Sequence, residues 1–197
     1  MSVTAAKGFD ASGIEAGLKA SGGKDFALVV NRGPLQHAAA VFTSNRAKAN
    51  PIIWSQQVIA DGVASAIVLN SGGANCFTGP AGFQVTHSTA EAVALALGVS
   101  SGDVLVCSTG LIGDQLPLDR MLAGVDLAAA ALGGDDAHGV DASLAIMTTD
   151  SKPKRSVRTR DGYSVGGMAK GAGMLAPGLA TMLVVITTDA VVDAPTL

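Results

Sequence analysis

Thr181 stands where a small, flexible stretch containing Gly171, Gly173, Pro177 and Gly178 gives way to a short apolar run, Met182–Ile186, that reads as a buried strand. A threonine hydroxyl is a weak nucleophile unless a base stands beside it. Breaking the Ala180–Thr181 bond would supply one, because the freed α-amine, with an ordinary pKa of about 7.7–8.0, can take the hydroxyl proton. Such a cut can be self-made: the hydroxyl attacks the Ala180 carbonyl, an ester forms, and water resolves it. The Pro177-Gly178 pair suits a sharp turn that presents this bond. On residue type alone a structural role is open too, since threonine favours strands.

Acyl chemistry at Thr181 would need donors aimed at a developing oxyanion. Thr109-Gly110 leaves the end of an apolar run, Val104–Cys107, where a hydroxyl and a backbone amide can both point into a cleft. An ordinary strand-to-loop turn is the competing reading. Lys170 is a lone cation among Gly, Ala and Met. A cation there can pair with an amino-acid carboxylate or tune a base. His37, His87 and His138 are far apart and lack metal-ligand spacing. Cys76 and Cys107 have no histidine nearby in sequence and read as small buried apolar residues.

The elements that must position these residues can be read from apolar periodicity. Gly8–Gly23 reads as loop and turns, with Lys19–Lys24 flexible enough to approach a ligand or simply to form a surface turn. Asp25–Asn31 and His37–Thr43 read as strands joined through Arg32-Gly33-Pro34. Pro51–Ala60 suits a short helix ending before Gly62. Val63–Leu69 is an apolar strand running into Asn70-Ser-Gly-Gly-Ala-Asn75, where glycines allow close backbone approach. Without a lysine in phosphate-loop position, nucleotide binding is a weak reading there. Thr78 is placed to cap a helix to about Leu97, closed by Gly98.

Leu118, Met121, Leu122, Val125, Ala129 and Leu132 give the clearest amphipathic helix, stopped by Gly133-Gly134. A further helix is expected over about Asp141–Met147. Asp161-Gly162 signals a hairpin between Val157–Arg160 and Tyr163–Val165. The basic residues of Lys152–Arg160 read as a solvated edge strand guarded against aggregation. Strands and helices mix without strict alternation, which predicts α+β layers in one domain.

The 197 residues are 48% hydrophobic and 15% charged, which excludes a disordered chain. A net charge of -3 gives no footprint for nucleic acid. No apolar run approaches the ~20 residues of a membrane span, so no membrane partner is expected. The N-terminus lacks an apolar signal core, and two cysteines make no disulfide framework. A cytoplasmic location follows as the expectation.

Five motifs carry a family resemblance. Lys170-Gly-Ala-Gly-Met-Leu-Ala-Pro-Gly-Leu-Ala-Thr181 resembles the self-cleavage segment of the ornithine acetyltransferases of arginine biosynthesis. Asn70-Ser-Gly-Gly-Ala-Asn75, Cys107-Ser-Thr-Gly-Leu-Ile-Gly113, Met147-Thr-Thr-Asp150 and Gly166-Gly-Met-Ala-Lys170 fit the same family, in order, between about Val3 and Ala190.

The resemblance implies a layered α-β-β-α sandwich of the self-processing type and cleavage between Ala180 and Thr181. An alpha-chain region, 1–180, would then precede the first beta-chain residues, 181–197. It implies acetyl transfer from N-acetylornithine to glutamate through acetyl-Thr181, with an oxyanion hole at Thr109 and Gly110. Thr148, Lys170 and Thr181 would bind substrate, with neighbouring Thr149 competing with Thr148 for that role. Some members also accept acetyl-CoA as a substrate; no metal or tightly held cofactor is implied. The family's two cleavage products form an α2β2 heterotetramer. Its chains continue past the cleavage point, whereas this sequence stops at Leu197, so an inactive truncated precursor or structural subunit is a rival expectation. A second rival keeps the fold and hydrolyses the acyl group, as a self-processing aminopeptidase-like hydrolase would.

Overall fold

A computed structural model describes residues 2–173 and 181–197. Two sheets make its frame. The first has the order β1-β2-β3-β4, from Phe9–Ile14, Phe26–Asn31, Ala66–Asn70 and Val104–Ser108. β1 with β2 and β2 with β3 pair antiparallel, but β3 and β4 run parallel, with Ala66 opposite Val104 and Asn70 opposite Ser108. The second sheet has the order β5-β6-β7, from Lys154–Arg160, Tyr163–Lys170 and Leu183–Thr188, all antiparallel.

Among the described residues four α-helices cover or fill the sheets: α1 (Asn50–Val58), α2 (Gly79–Leu97), α3 (Leu118–Ala130) and α4 (Asp136–Ala145). One face of the first sheet, including Phe26, Leu28, Val68 and Val106, packs on Val93 of α2 and Met121 and Val125 of α3. The opposite face, with Ala27, Val29 and Leu69, packs on Ala142, Ala145 and Ile146 and on Met168, Leu183 and Val185 of the second sheet. These layers make the α+β sandwich that the pattern predicts. Alternation along β2 explains both contacts, since successive side chains of a strand point to opposite faces.

α2 ends as expected, with Gly98 in the left-handed region at φ 68°. Thr78 does not cap it through its side chain. The Thr78 hydroxyl instead donates to Asn75 Oδ1 at 2.6 Å and accepts from Asn50 Nδ2 at 2.8 Å, so it ties a loop together. The Asp161-Gly162 turn is present between Arg160 and Tyr163, in a hairpin longer than expected.

Three expectations need correction. Phe9–Ile14 is a strand rather than part of a loop. Its buried residues are Ala11, Ser12 and Gly13, too small to give an apolar signal. Ala11 and Gly13 are small because α4 lies against them: a Cβ on Gly13 would sit 2.1 Å from the Asp141 carbonyl oxygen, while Ser12, on the other face, donates to Ala128 O of α3 at 2.8 Å. His37–Thr43 is not a strand and keeps only one bridge, His37 to Val63. The hairpin it was expected to make is barred because β1 and β3 already occupy both edges of β2. Finally, β7 is one-sided. Leu183, Val185 and Thr187 are buried, whereas Met182, Val184 and Ile186 are exposed.

Candidate active site

The parallel β3–β4 pair assembles one wall. Because both strands end at the same edge, loops 70–75 and 108–113 emerge side by side. β2 runs the other way, so its start, Phe26 opposite Asn70, brings the β1–β2 connection to that same end. The loops interlock through their backbones. Thr109 N donates to Asn70 O at 3.0 Å, and Ala74 N donates to Leu111 O at 2.8 Å. Below them Asn70 Nδ2 donates to Ser108 Oγ at 2.7 Å. Gly110 sits at φ +140° with an imagined Cβ 2.8 Å from Gly73 Cα, so only glycine fits.

The second sheet supplies the opposing residues. Lys170 ends β6 opposite Leu183, and the connection between them carries Thr181. Thr109, Gly110, Thr148, Lys170 and Thr181 all line one cleft of about 1850 Å³, as does Thr149. Ala180 lies outside the described residues, and so does the bond it shares with Thr181.

Lys170 is buried, with 5% exposure. Its Nζ donates to Thr148 Oγ1 at 2.6 Å and to Thr109 Oγ1 at 3.1 Å. Both threonine oxygens therefore serve as acceptors, and each hydroxyl proton stays available to point elsewhere. Lys170 uses two of its three donors this way. Desolvation lowers its pKa, partly offset by the Asp150 carboxylate, while Lys154 lowers it further.

Asp150 fixes this group from behind. Its Oδ1 accepts from Gly171 N at 2.8 Å and from Lys154 Nζ, and its Oδ2 accepts from Thr148 N at 3.4 Å. Burial works against its ionisation, but Lys154 and the two amides outweigh it and hold the carboxyl below its ordinary range. One carboxylate thus clamps the residue after Lys170 to the turn bearing Thr148. A second clamp lies across the cleft. Asp25, fully buried, accepts from Ala16 N at 2.7 Å, Leu18 N at 2.5 Å and Lys19 N at 2.9 Å. Reading along the chain missed both clamps. Asp25 carries a weak local signal, as an acid directly before an apolar strand, but Asp150 is distinguished only by the contacts that the fold creates.

His37 lines the cleft, whereas His87 and His138 lie outside it. His87 packs on Trp54 with ring centroids 5.0 Å apart, and His138, on α4, pairs with Asp135 at 2.6 Å. His37 Nδ1 meets Val192 O at 2.8 Å. Burial pushes the Cys107 thiol up to about 12, so it offers no thiolate near neutral pH. Among the described residues no group of three or more His, Cys, Asp or Glu side chains is placed to hold a metal.

The chain resembles known proteins along nearly all its length. A family model described as the ArgJ family matches residues 10–197. A Streptomyces coelicolor protein named arginine biosynthesis bifunctional protein ArgJ is 65% identical over 96% of this chain and 49% of its own. The Streptomyces avermitilis protein of the same name is 63% identical over 98% of this chain and 50% of its own. This chain therefore spans about half the length of the curated relatives it matches. Among solved structures, Mycobacterium tuberculosis ornithine acetyltransferase complexed with ornithine superposes with a TM-score of 0.88 at 55% identity, covering 91% of this chain and 96% of that one.

Proposed function

The chain belongs to the ArgJ family, and from that premise we propose that it is part of an ornithine acetyltransferase that moves acetyl from N-acetylornithine to glutamate. The observation that carries the reading is the convergence of Thr181, Thr109, Gly110, Thr148 and Lys170 on one cleft. They come from four separate stretches of chain.

The chemistry starts with self-processing. Thr181 Oγ attacks the Ala180 carbonyl carbon, the peptide C–N bond breaks, and the chain is joined by an ester. Water hydrolyses that ester, leaving a carboxylate on Ala180 and a free α-amine on Thr181. The amine then accepts the proton of its own hydroxyl, and Oγ attacks the acetyl carbonyl of N-acetylornithine. The tetrahedral oxyanion is met by the Thr109 hydroxyl and the Gly110 amide. Collapse expels the ornithine amine, which takes the proton. Glutamate's amine reverses the sequence on acetyl-Thr181. Preorganised donors of this kind act without reorganising during reaction. The rigid loop packing around Gly110 supplies that preorganisation here.

Lys170, with Thr148 beside it, is assigned to the substrate. Its ammonium is buried and is met by hydroxyls, which leaves its charge to attract an amino-acid carboxylate. The region after Thr181, extended to the length of the relatives, supplies the remaining substrate ligands in this reading. The two products of cleavage assemble as α2β2 in the cytoplasm. No cofactor enters the scheme, and acetyl-CoA serves as an alternative acetyl donor.

Intact-mass analysis of the full-length protein tests the proposal. Two fragments divided before Thr181 are expected, with an acetyl group added to the second on exposure to N-acetylornithine. Thr181→Ala should give one uncut, unacetylated chain. Acetylation that persists in Thr181→Ala would overturn the assignment. Acetate release at full rate without glutamate would favour a hydrolase.

A further inference from the structure

The β1–β2 connection places a second cation at the cleft. Leu18 and Lys19 line the same cavity as Lys170 and Thr181. The loop is fixed there by contacts that do not involve the Lys19 ammonium. Asp25 accepts the amides of Ala16, Leu18 and Lys19. Gly22 N closes the turn onto Lys19 O at 3.1 Å. Gly72 lies so close to Leu18 that an added Cβ would sit 2.4 Å from the leucine Cβ. The loop is therefore wedged against the residues that also hold Gly110.

Lys19 is half-buried, and its Nζ donates to Lys24 O at 2.9 Å. That bond uses one of its three donors. Desolvation lowers its pKa, the Asp25 carboxylate raises it, and the charge of Lys170 lowers it again. The charge of Lys170 thus reaches Lys19, more weakly than the Asp25 carboxylate does, while the charges that act on Lys170 are those of Asp150 and Lys154. Asp25 spends its oxygens on three amides, and its charge acts on Lys19 only at longer range.

Two lysines line one cavity, and an anionic ligand lying between them would gain Coulomb energy from both. The two partners of the proposed reaction differ in this respect. Acetylornithine carries one carboxylate and a side-chain ammonium, whereas glutamate carries two carboxylates. We propose that Lys19 is a second carboxylate-binding residue, recognising the dicarboxylate acceptor, so that Lys170 and Lys19 each take one carboxylate of glutamate. The proposal rests on the acetyltransferase reading above. It makes Lys19 a specificity residue: its charge favours glutamate and disfavours the ornithine side-chain ammonium.

The test uses the full-length protein with Lys19→Met and Lys19→Arg. Calorimetric titration with glutamate should show at least tenfold weaker binding for Lys19→Met and near-complete recovery for Lys19→Arg. Acetyl-enzyme formation from N-acetylornithine should stay within about threefold, while the KM for glutamate rises at least tenfold. Glutamate binding unchanged in Lys19→Met would overturn the proposal. So would equal losses for both substrates, which would indicate a disturbed loop. Should the unaltered protein form no acetyl-enzyme, the reaction assigned above fails; the calorimetric comparison would still decide whether Lys19 binds a dicarboxylate.

Discussion

Asp150→Asn separates the charge of the clamp from its shape. The wild-type carboxylate is 1% exposed and accepts two backbone amides, Gly171 and Thr148, besides Lys154. Hydrogen bonds to charged groups contribute about 1.5–3 kcal/mol each. Asparagine keeps one oxygen acceptor, so the 2.8 Å bond from Gly171 can survive in weaker, neutral form. Its amide NH₂ then faces the Thr148 N–H, and two donors oppose each other. Lys154 is 51% exposed and regains water, so its ion pair adds little. The net loss works out at about 2–3 kcal/mol, dominated by the two amides.

The pH dependence gives this prediction its discriminating power. The folded-state pKa of Asp150 is lowered, so the folded protein binds this proton less readily than the unfolded chain. Its stabilisation is complete above the unfolded value of about 3.9 and is lost as pH falls through the folded value. Urea titrations at several pH values should therefore show wild type and Asp150→Asn well separated at neutral pH and converging in acid. A separation that does not change with pH would mean the carboxylate charge is not what holds the clamp. Activity adds a second readout: Asp150 raises the pKa of Lys170, so the variant's alkaline limb should move to lower pH.

Lys170→Met should lower activity by raising the KM for N-acetylornithine at least tenfold, while leaving the fold as stable as before or more so, because a desolvated cation is removed. The folded pKa of Lys170 lies below its unfolded value, so wild-type stability climbs with pH between the two. Urea titrations over that window should show the climb flattened in the variant. Thr109→Ala should cost about 10²–10³ in kcat for acetyl transfer, the usual cost of one oxyanion donor, with little change in urea midpoint. A loss under tenfold in a steady-state assay would remove Thr109 from the oxyanion hole.

Much of the frame was legible because its elements bury large apolar side chains with clear periods. β2, β3 and β4 read as strands from continuous Val, Leu and Ile, and α3 read as a helix from Met121 and Val125 on one face. The failures have the opposite cause. β1 meets α4 through Ala11 and Gly13 and turns Ser12 to α3, so its contacts are made by backbone and small side chains and are hidden from a hydrophobicity pattern. α4 begins at Asp136, earlier than expected, because Asp135 caps it by accepting from His138 N at 3.1 Å. A Gly-Gly-Asp-Asp string looks like a loop until that cap is seen. Exposed Val184 and Ile186 made β7 resemble a fully buried strand, since an apolar run has no alternation to mark its open face.

The site shows the same division. Its residue types were legible through motif resemblance, but their proximity was not, since Thr109 and Lys170 are 61 positions apart. What joins them is topology. In a purely antiparallel first sheet, loops 70–75 and 108–113 would leave at opposite ends. The single parallel pair puts them together, and it needs a long crossover between β3 and β4, which α2 provides. Once adjacent, the loops leave little room for side chains. Gly72 meets Leu18 and Gly110 meets Gly73, each closer than a Cβ allows. The glycines thus let three loops lock by backbone contact, so the Gly110 amide is fixed by main chain rather than by mobile side chains. A site built this way holds its loops rigid, and on the proposed reading it leaves Lys170, Lys19 and Thr181 as the groups that meet the ligand.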